Sequence, residues 1–213
     1  PFFDERLTRR LFTLAADFFA QPGELIPQVS NGSGAKTKAA YRFFKNPNVD
    51  MQTLLRPHLE STLERLRSHR VILAVQDTTT LNYTGHPPEG AGPITTSQNA
   101  AVGLILHDTM AFTPEGTPLG LLNVQCWARD PQEAGKRYRR HQLPIEEKES
   151  RKWLISYRAV AEVQRLCPDT MLISVGDREA DVYELFQEAF QDPQGPKLLI
   201  RAEKSRGRKV EQE

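Results

Sequence analysis

Two aspartates, Asp77 and Asp177, each follow a short apolar run, VILAVQ and TMLISVG. Runs of that length, apolar and rich in β-branched residues, predict buried strands, so each carboxylate is expected at a strand's carboxyl end. In open α/β sheets ligands gather beyond those ends. Two carboxylates there could share divalent cations: carboxylate oxygens suit Mg2+, and Mn2+ as well, with water or phosphate oxygens completing the coordination. A pair of such ions can activate a water or a 3′-hydroxyl and stabilise the leaving oxygen as a phosphodiester is cut. No Ser or Cys nucleophile is needed. Taken singly, each Asp could instead end its strand or cap the segment that follows. Asp181 is expected in the first turn of the next helix, where the dipole favours a carboxylate.

Other reactive side chains form no comparable set. His58, His69, His86, His107 and His141 lack metal-ligand spacing and are given no catalytic role. Cys126 and Cys167 sit in apolar stretches with no Cys-x-x-Cys pair, which argues against zinc and a disulfide framework and for a reducing cytoplasm. No secretory signal is visible and no apolar run reaches membrane-spanning length. Trp127 and Trp153 are expected in the core, and the alternating charges from Glu146 to Lys152 on a solvent-facing helical turn. The net charge of +1 is uninformative, but residues 1–70 carry eleven Lys/Arg against seven Asp/Glu, an excess that permits nucleic-acid binding.

The elements that must position these residues fall into two groups. Leu7, Leu11, Leu14 and Phe18 form one face of a helix over residues 5–20. A Gly- and Pro-bearing loop is predicted over 21–34, then a helix over AKTKAAYRFFKN ending at Asn46-Pro47. Asp50 is the expected N-cap of a third helix with Leu54, Leu55, Leu59, Leu63 and Leu66 on its buried stripe and Pro57 within it. The pattern changes at Val71. There follow the first strand, a hairpin of AVGLILHDTMAF and PLGLLNVQCWA turning at residues 113–117, and a charged irregular stretch over 129–144. A helix through Trp153 and Tyr157, the second apolar strand, a helix over READVYELFQEAF and a last strand KLLIRA complete the order. This order predicts an α/β protein, a mixed sheet flanked by helices in which the first and fourth strands lie parallel and adjacent, bringing Asp77 to Asp177.

The segments AAYRFFKNPNV, VILAVQDTTTLNY, EEKESRKWL and SVGDREADVYELF, spread in the expected order over nearly the whole chain, resemble bacterial cut-and-paste transposases of the Tn-five type within the IS-four group. The resemblance implies a helical DNA-binding unit over residues 1–70 and an incomplete ribonuclease-H-like catalytic domain over 71–213. It implies metal-holding Asp77 and Asp177, a third acidic residue, a Glu, beyond this sequence, and an Arg201 that contacts DNA near the cleavage site. Glu179, Glu203 and Glu213 are poor substitutes for that Glu, and an ordinary exposed arginine is the alternative for Arg201. On Lys36, Lys38, Tyr41, Arg42 and Lys45, positive and hydroxyl-bearing side chains could hold phosphates of transposon ends; an ordinary solvated face is the alternative. Tyr41, Phe43 and Phe44 are read partly as packing residues.

The resemblance thus implies Mg2+-dependent DNA transposition, with double-stranded DNA, both transposon ends and target, as partner. It also implies a homodimer in the full-length family and a bacterial, nucleoid-associated cytoplasmic location. A chain with two of three acidic residues is expected to cut little or not at all. The rival readings are a DNA-binding inhibitor of transposition without catalysis and a stand-alone ribonuclease-H-like nuclease.

Overall fold

A computed structural model describes residue 2 and residues 4–95, 101–133 and 143–204. His141, Glu213, the basic tail after Lys204 and the middle of the irregular 129–144 stretch lie outside the described residues. The chain divides into two compact units, Pro1–Glu60 and Ser61–Glu213.

The first unit is helical. Helix α1 (Glu5–Ala20) opens on Asp4, whose side chain accepts from the Arg6 amide at 2.8 Å. Helix α3 (Gly34–Phe44) opens on Ser33, whose hydroxyl accepts from the Lys36 amide. Leu14 of α1 meets Ala40 and Phe43 of α3, with Leu7, Leu11, Ile26, Val49 and Leu54 packed around them. The segment expected as an irregular loop contains a single helical turn, α2 (Ile26–Val29). Pro27 lies in its first turn, where a missing N–H costs no hydrogen bond. Asn31 (φ 52°) and Gly32 (φ 70°) then reverse the chain toward α3.

Helix α4 (Met51–Leu66) begins at the expected cap, with Asp50 accepting from the Thr53 amide at 2.7 Å and its hydroxyl at 3.1 Å. Pro57 lies inside it, depriving the Thr53 carbonyl of its helical donor. Of the expected leucine stripe only Leu66 is fully buried; the other four are half-buried. The division between units falls within α4. Its end belongs with the sheet because the Arg65 guanidinium donates to the Leu119 carbonyl, and Thr62 lies so close to Gly120 that a Cβ there would collide with its hydroxyl.

The second unit is the expected α/β sheet. Among the described residues it has six strands: β1 (Val71–Asn82), β2 (Gly92–Pro93), β3 (Val102–Phe112), β4 (Pro118–Trp127), β5 (Met171–Gly176) and β6 (Lys197–Ile200). The order is β2-β3-β1-β5-β6, with β4 also on β3. β1 runs antiparallel to β3 and parallel to β5, which is parallel to β6. Alternate residues, Ile72, Ala74 and Gln76 on β1 with Leu172 and Ser174 on β5, are buried on one face. That face packs against helix α5 (Arg151–Leu166), which buries Trp153, Leu154, Tyr157, Val160 and Ala161 at three- and four-residue steps. Helix α6 (Tyr183–Gln191) adds Leu185, and Leu198 and Ile200 of β6 join the same cluster. The opposite face, with Val75, Val175 and Asp108, is half-exposed.

Candidate functional site

The β1 and β5 ladder runs in register from Val71 opposite Met171 to Val75 opposite Val175. Two residues further on, each chain reaches its aspartate, so Asp77 and Asp177 share a level and, by alternation, a face. Gly176 pairs with Ile200 on β6, and the Arg201 amide donates to the Gly176 carbonyl at 3.1 Å, which puts Arg201 beside Asp177. On the other flank Asp77 stands directly opposite Asp108 of β3. The register therefore ranks Asp108 on β3, Asp77 on β1, and Asp177 and Arg201 just past the ends of β5 and β6. Asp77, Asp177 and Arg201 are exposed.

Two local expectations need correction. β1 does not stop at Asp77; it continues to Asn82 along β3, because Thr78 to Leu81 are residues that suit a half-buried ladder. What ends near Asp77 is the pairing with β5. Asp181 is not in the first turn of α6. It follows a 3-10 turn (Arg178–Ala180), is 2% exposed, and its carboxylate accepts from the Glu203 amide at 2.9 Å. Asp177 itself caps that turn, one oxygen accepting from the Glu179 amide at 2.8 Å.

Asp108 was not singled out from the sequence. Its carboxyl is pushed above the usual carboxylate range, first by partial burial and then by the charge of Asp77. Like charges directly opposite in a sheet are destabilising, and a bound cation would relieve that repulsion. Among the described residues no group of three His, Cys, Asp or Glu could hold a metal ion. The donors at this edge are hard carboxylate oxygens open to solvent. That chemistry suits a cation held by one or two side chains and otherwise by water or phosphate oxygens, and does not suit a closed structural site.

Beneath the carboxylates, on the buried face, lies a chain of polar side chains. His107, 0% exposed, places Nδ1 2.8 Å from the Thr78 hydroxyl and Nε2 3.4 Å from Gln76 Oε1. Gln76 Nε2 donates to Ser174 Oγ on β5 at 2.7 Å. That amide orientation leaves Oε1 as an acceptor, so the imidazole proton belongs on Nε2 and Nδ1 accepts from Thr78. Burial, and then the charge of Lys152, push the His107 pKa down to about 4, against a smaller opposing effect of the Asp77 backbone. The ring packs edge-on to Trp153 at 4.6 Å.

Of the charges expected on a solvent-facing turn, Glu146 and Glu147 are exposed on a 3-10 turn (Ile145–Glu147), whereas Glu149 and Lys152 reach across the unit. Lys152 is 6% exposed and its ammonium lies 3.1 Å from Glu179, two residues after Asp177. Glu149 receives both arms of Arg129 at 2.7 and 2.8 Å, and Arg129 also donates to the Ile94 carbonyl. Alternating charge reveals exposed neighbours along a helix but not partners brought from another element. Glu179→Ala is expected to destabilise the protein by roughly 1–3 kcal/mol because it leaves a buried ammonium unpaired. Lys152→Met, which removes that charge in similar volume, is expected to cost less; urea melts of both variants check the order. Trp153 is buried as expected, whereas Trp127 is half-buried and Cys126 exposed.

In the first unit, one side of α3 forms a shallow groove lined by Gly34, Thr37, Lys38, Tyr41, Arg42 and Lys45. Lys38, Tyr41, Arg42 and Lys45 follow three- and four-residue steps, so three cations and a half-exposed phenol share one face. Lys36 points elsewhere, to Asp17 of α1 at 3.5 Å. Phe43 is buried, edge-on to Phe2 and Phe44, while Tyr41 and Phe44 remain about half exposed, at 50% and 47%.

Residues 1–49, which span α1 to α3, match the family model for transposase DNA-binding domains. The N-terminal helical region therefore carries a DNA-binding domain of the transposase kind, with DNA as its partner. The match supports a transposase, and the α/β sheet follows that domain in the chain. No helix among the described residues is long and apolar enough to cross a membrane.

Proposed function

We propose that the chain is part of a bacterial cut-and-paste DNA transposase of the Tn-five type, in the IS-four group. Its first unit binds transposon ends, and its second is a ribonuclease-H-like domain for metal-dependent phosphodiester hydrolysis and strand transfer. The observation that carries the catalytic part is that Asp77 and Asp177 each lie two residues past Val75 and Val175, the last pair of the parallel β1 and β5 ladder. A Mg2+ ion, or Mn2+, would be held by these two carboxylates and supply activation of the attacking oxygen and stabilisation of the leaving one. Arg201 offers a cation to the DNA phosphate beside Asp177. The resemblance also implies a third acidic ligand, a Glu, and pairing of two full-length protomers around the DNA.

On the α3 side, Lys38, Arg42 and Lys45 supply phosphate contacts, and Tyr41 and Thr37 supply hydroxyls that can reach phosphates or base edges. Lys36 adds charge near the helix's start. The test is fluorescence anisotropy with a duplex bearing the ends of the DNA element that encodes the chain, against a shuffled duplex of equal length. Tighter binding to the ends by at least about ten-fold, the cost of about one mismatched base pair, is expected. Equal affinity for both duplexes overturns end recognition.

A further inference from the structure

Resting on the metal reading of Asp77 and Asp177, we propose that His107 is a positioning residue: through Thr78, Gln76 and Ser174 it fixes the spacing of the two carboxylates. The backbone alone leaves that spacing loosely set. Pairing of β1 with β5 ends at Val75 and Val175, and both aspartates lie beyond it. Gln76 is the first β1 residue past the last pair, and its amide reaches back to Ser174 of β5 at 2.7 Å. His107 holds the residues on either side of Asp77, Thr78 at 2.8 Å and Gln76 at 3.4 Å. The link Thr78, His107, Gln76, Ser174 therefore ties β3, β1 and β5 together just beneath the carboxylates, on the other face of the sheet.

Packing alone would not select these residues. His107, Ser174 and Gln76 are 0, 0 and 4% exposed, and burying polar groups is unfavourable unless every partner is met. An apolar trio would fill the space at less cost. In metal sites such outer partners orient the ligands, and their loss lowers affinity even though they never touch the ion. Trp153 of α5 packs edge-on to the ring, with centroids 4.6 Å apart.

The test titrates Mn2+ into the whole chain by EPR, comparing the unmodified protein with His107→Phe and Ser174→Ala. With the fold retained by circular dichroism and DNA binding by the first unit unchanged, both variants are expected to bind Mn2+ about 10- to 100-fold more weakly. Folded variants with unmodified Mn2+ affinity overturn the proposal. Should His107→Phe fail to fold, Ser174→Ala, which only removes a hydroxyl, decides alone. Should the unmodified protein bind no Mn2+, the metal reading fails, and amide hydrogen exchange judges the brace. Protection lost in Ser174→Ala only around Asp77 and Asp177 upholds it, and unchanged protection there refutes it.

Discussion

Between pH 6.5 and about 4 the protein is expected to lose roughly 3 kcal/mol of stability through His107 alone. The sign follows from where the proton goes. An unfolded histidine titrates near 6.5, whereas burial in the sheet holds the native imidazole neutral down to about 4. Within that window the unfolded chain binds a proton that the native protein refuses, so stability falls as pH falls. It is fully present above 6.5 and its loss is complete below 4. Urea melts at pH 7.5 and 4.5 measure the difference. His107→Phe should show a smaller drop between the two because no ring titrates. Equal drops in both proteins would mean that His107 is not buried as described.

The second large effect concerns α3. Replacing Lys38, Arg42 and Lys45 together by Ala is expected to weaken binding to any duplex and to flatten its salt dependence. Each phosphate contact contributes about 0.9 to the slope of log affinity against log salt. Losing three should reduce that slope by about 2.7, which corresponds to about 40-fold in affinity across a four-fold change in salt. Lys36→Ala should matter less, because its ammonium is shared with Asp17 at 3.5 Å. Anisotropy titrations from 50 to 200 mM salt are the check. An unchanged slope in the triple variant would remove the phosphate role from this face.

How far the sequence led is clearest at particular residues. The buried halves of β1 and β5 were readable because continuous apolar runs have few other uses, and parallel pairing followed from the order of elements. Asp50 as a cap was readable because its signal is local. Asp108 was not, since a lone carboxylate in an alternating strand looks like any outward residue until the register sets it against Asp77. The far end of β1 was missed because polar Thr78 to Thr80 read as a loop once the apolar run stops. The buried roles of His107 and Lys152 depend on partners 29 and 27 residues away, and no local pattern encodes such meetings. On α3 the sequence showed a cluster of cations, but only the helix separates the Lys38 side from the Lys36 side.

Whether Asp77 and Asp177 act as one metal-holding pair decides the catalytic role of the second unit. The most direct measurement is a Mn2+ titration, followed by EPR, of the unmodified protein, Asp77→Ala and Asp177→Ala. Saturable binding that is lost or strongly weakened in each variant is the predicted result. Binding that is the same in all three proteins would contradict it.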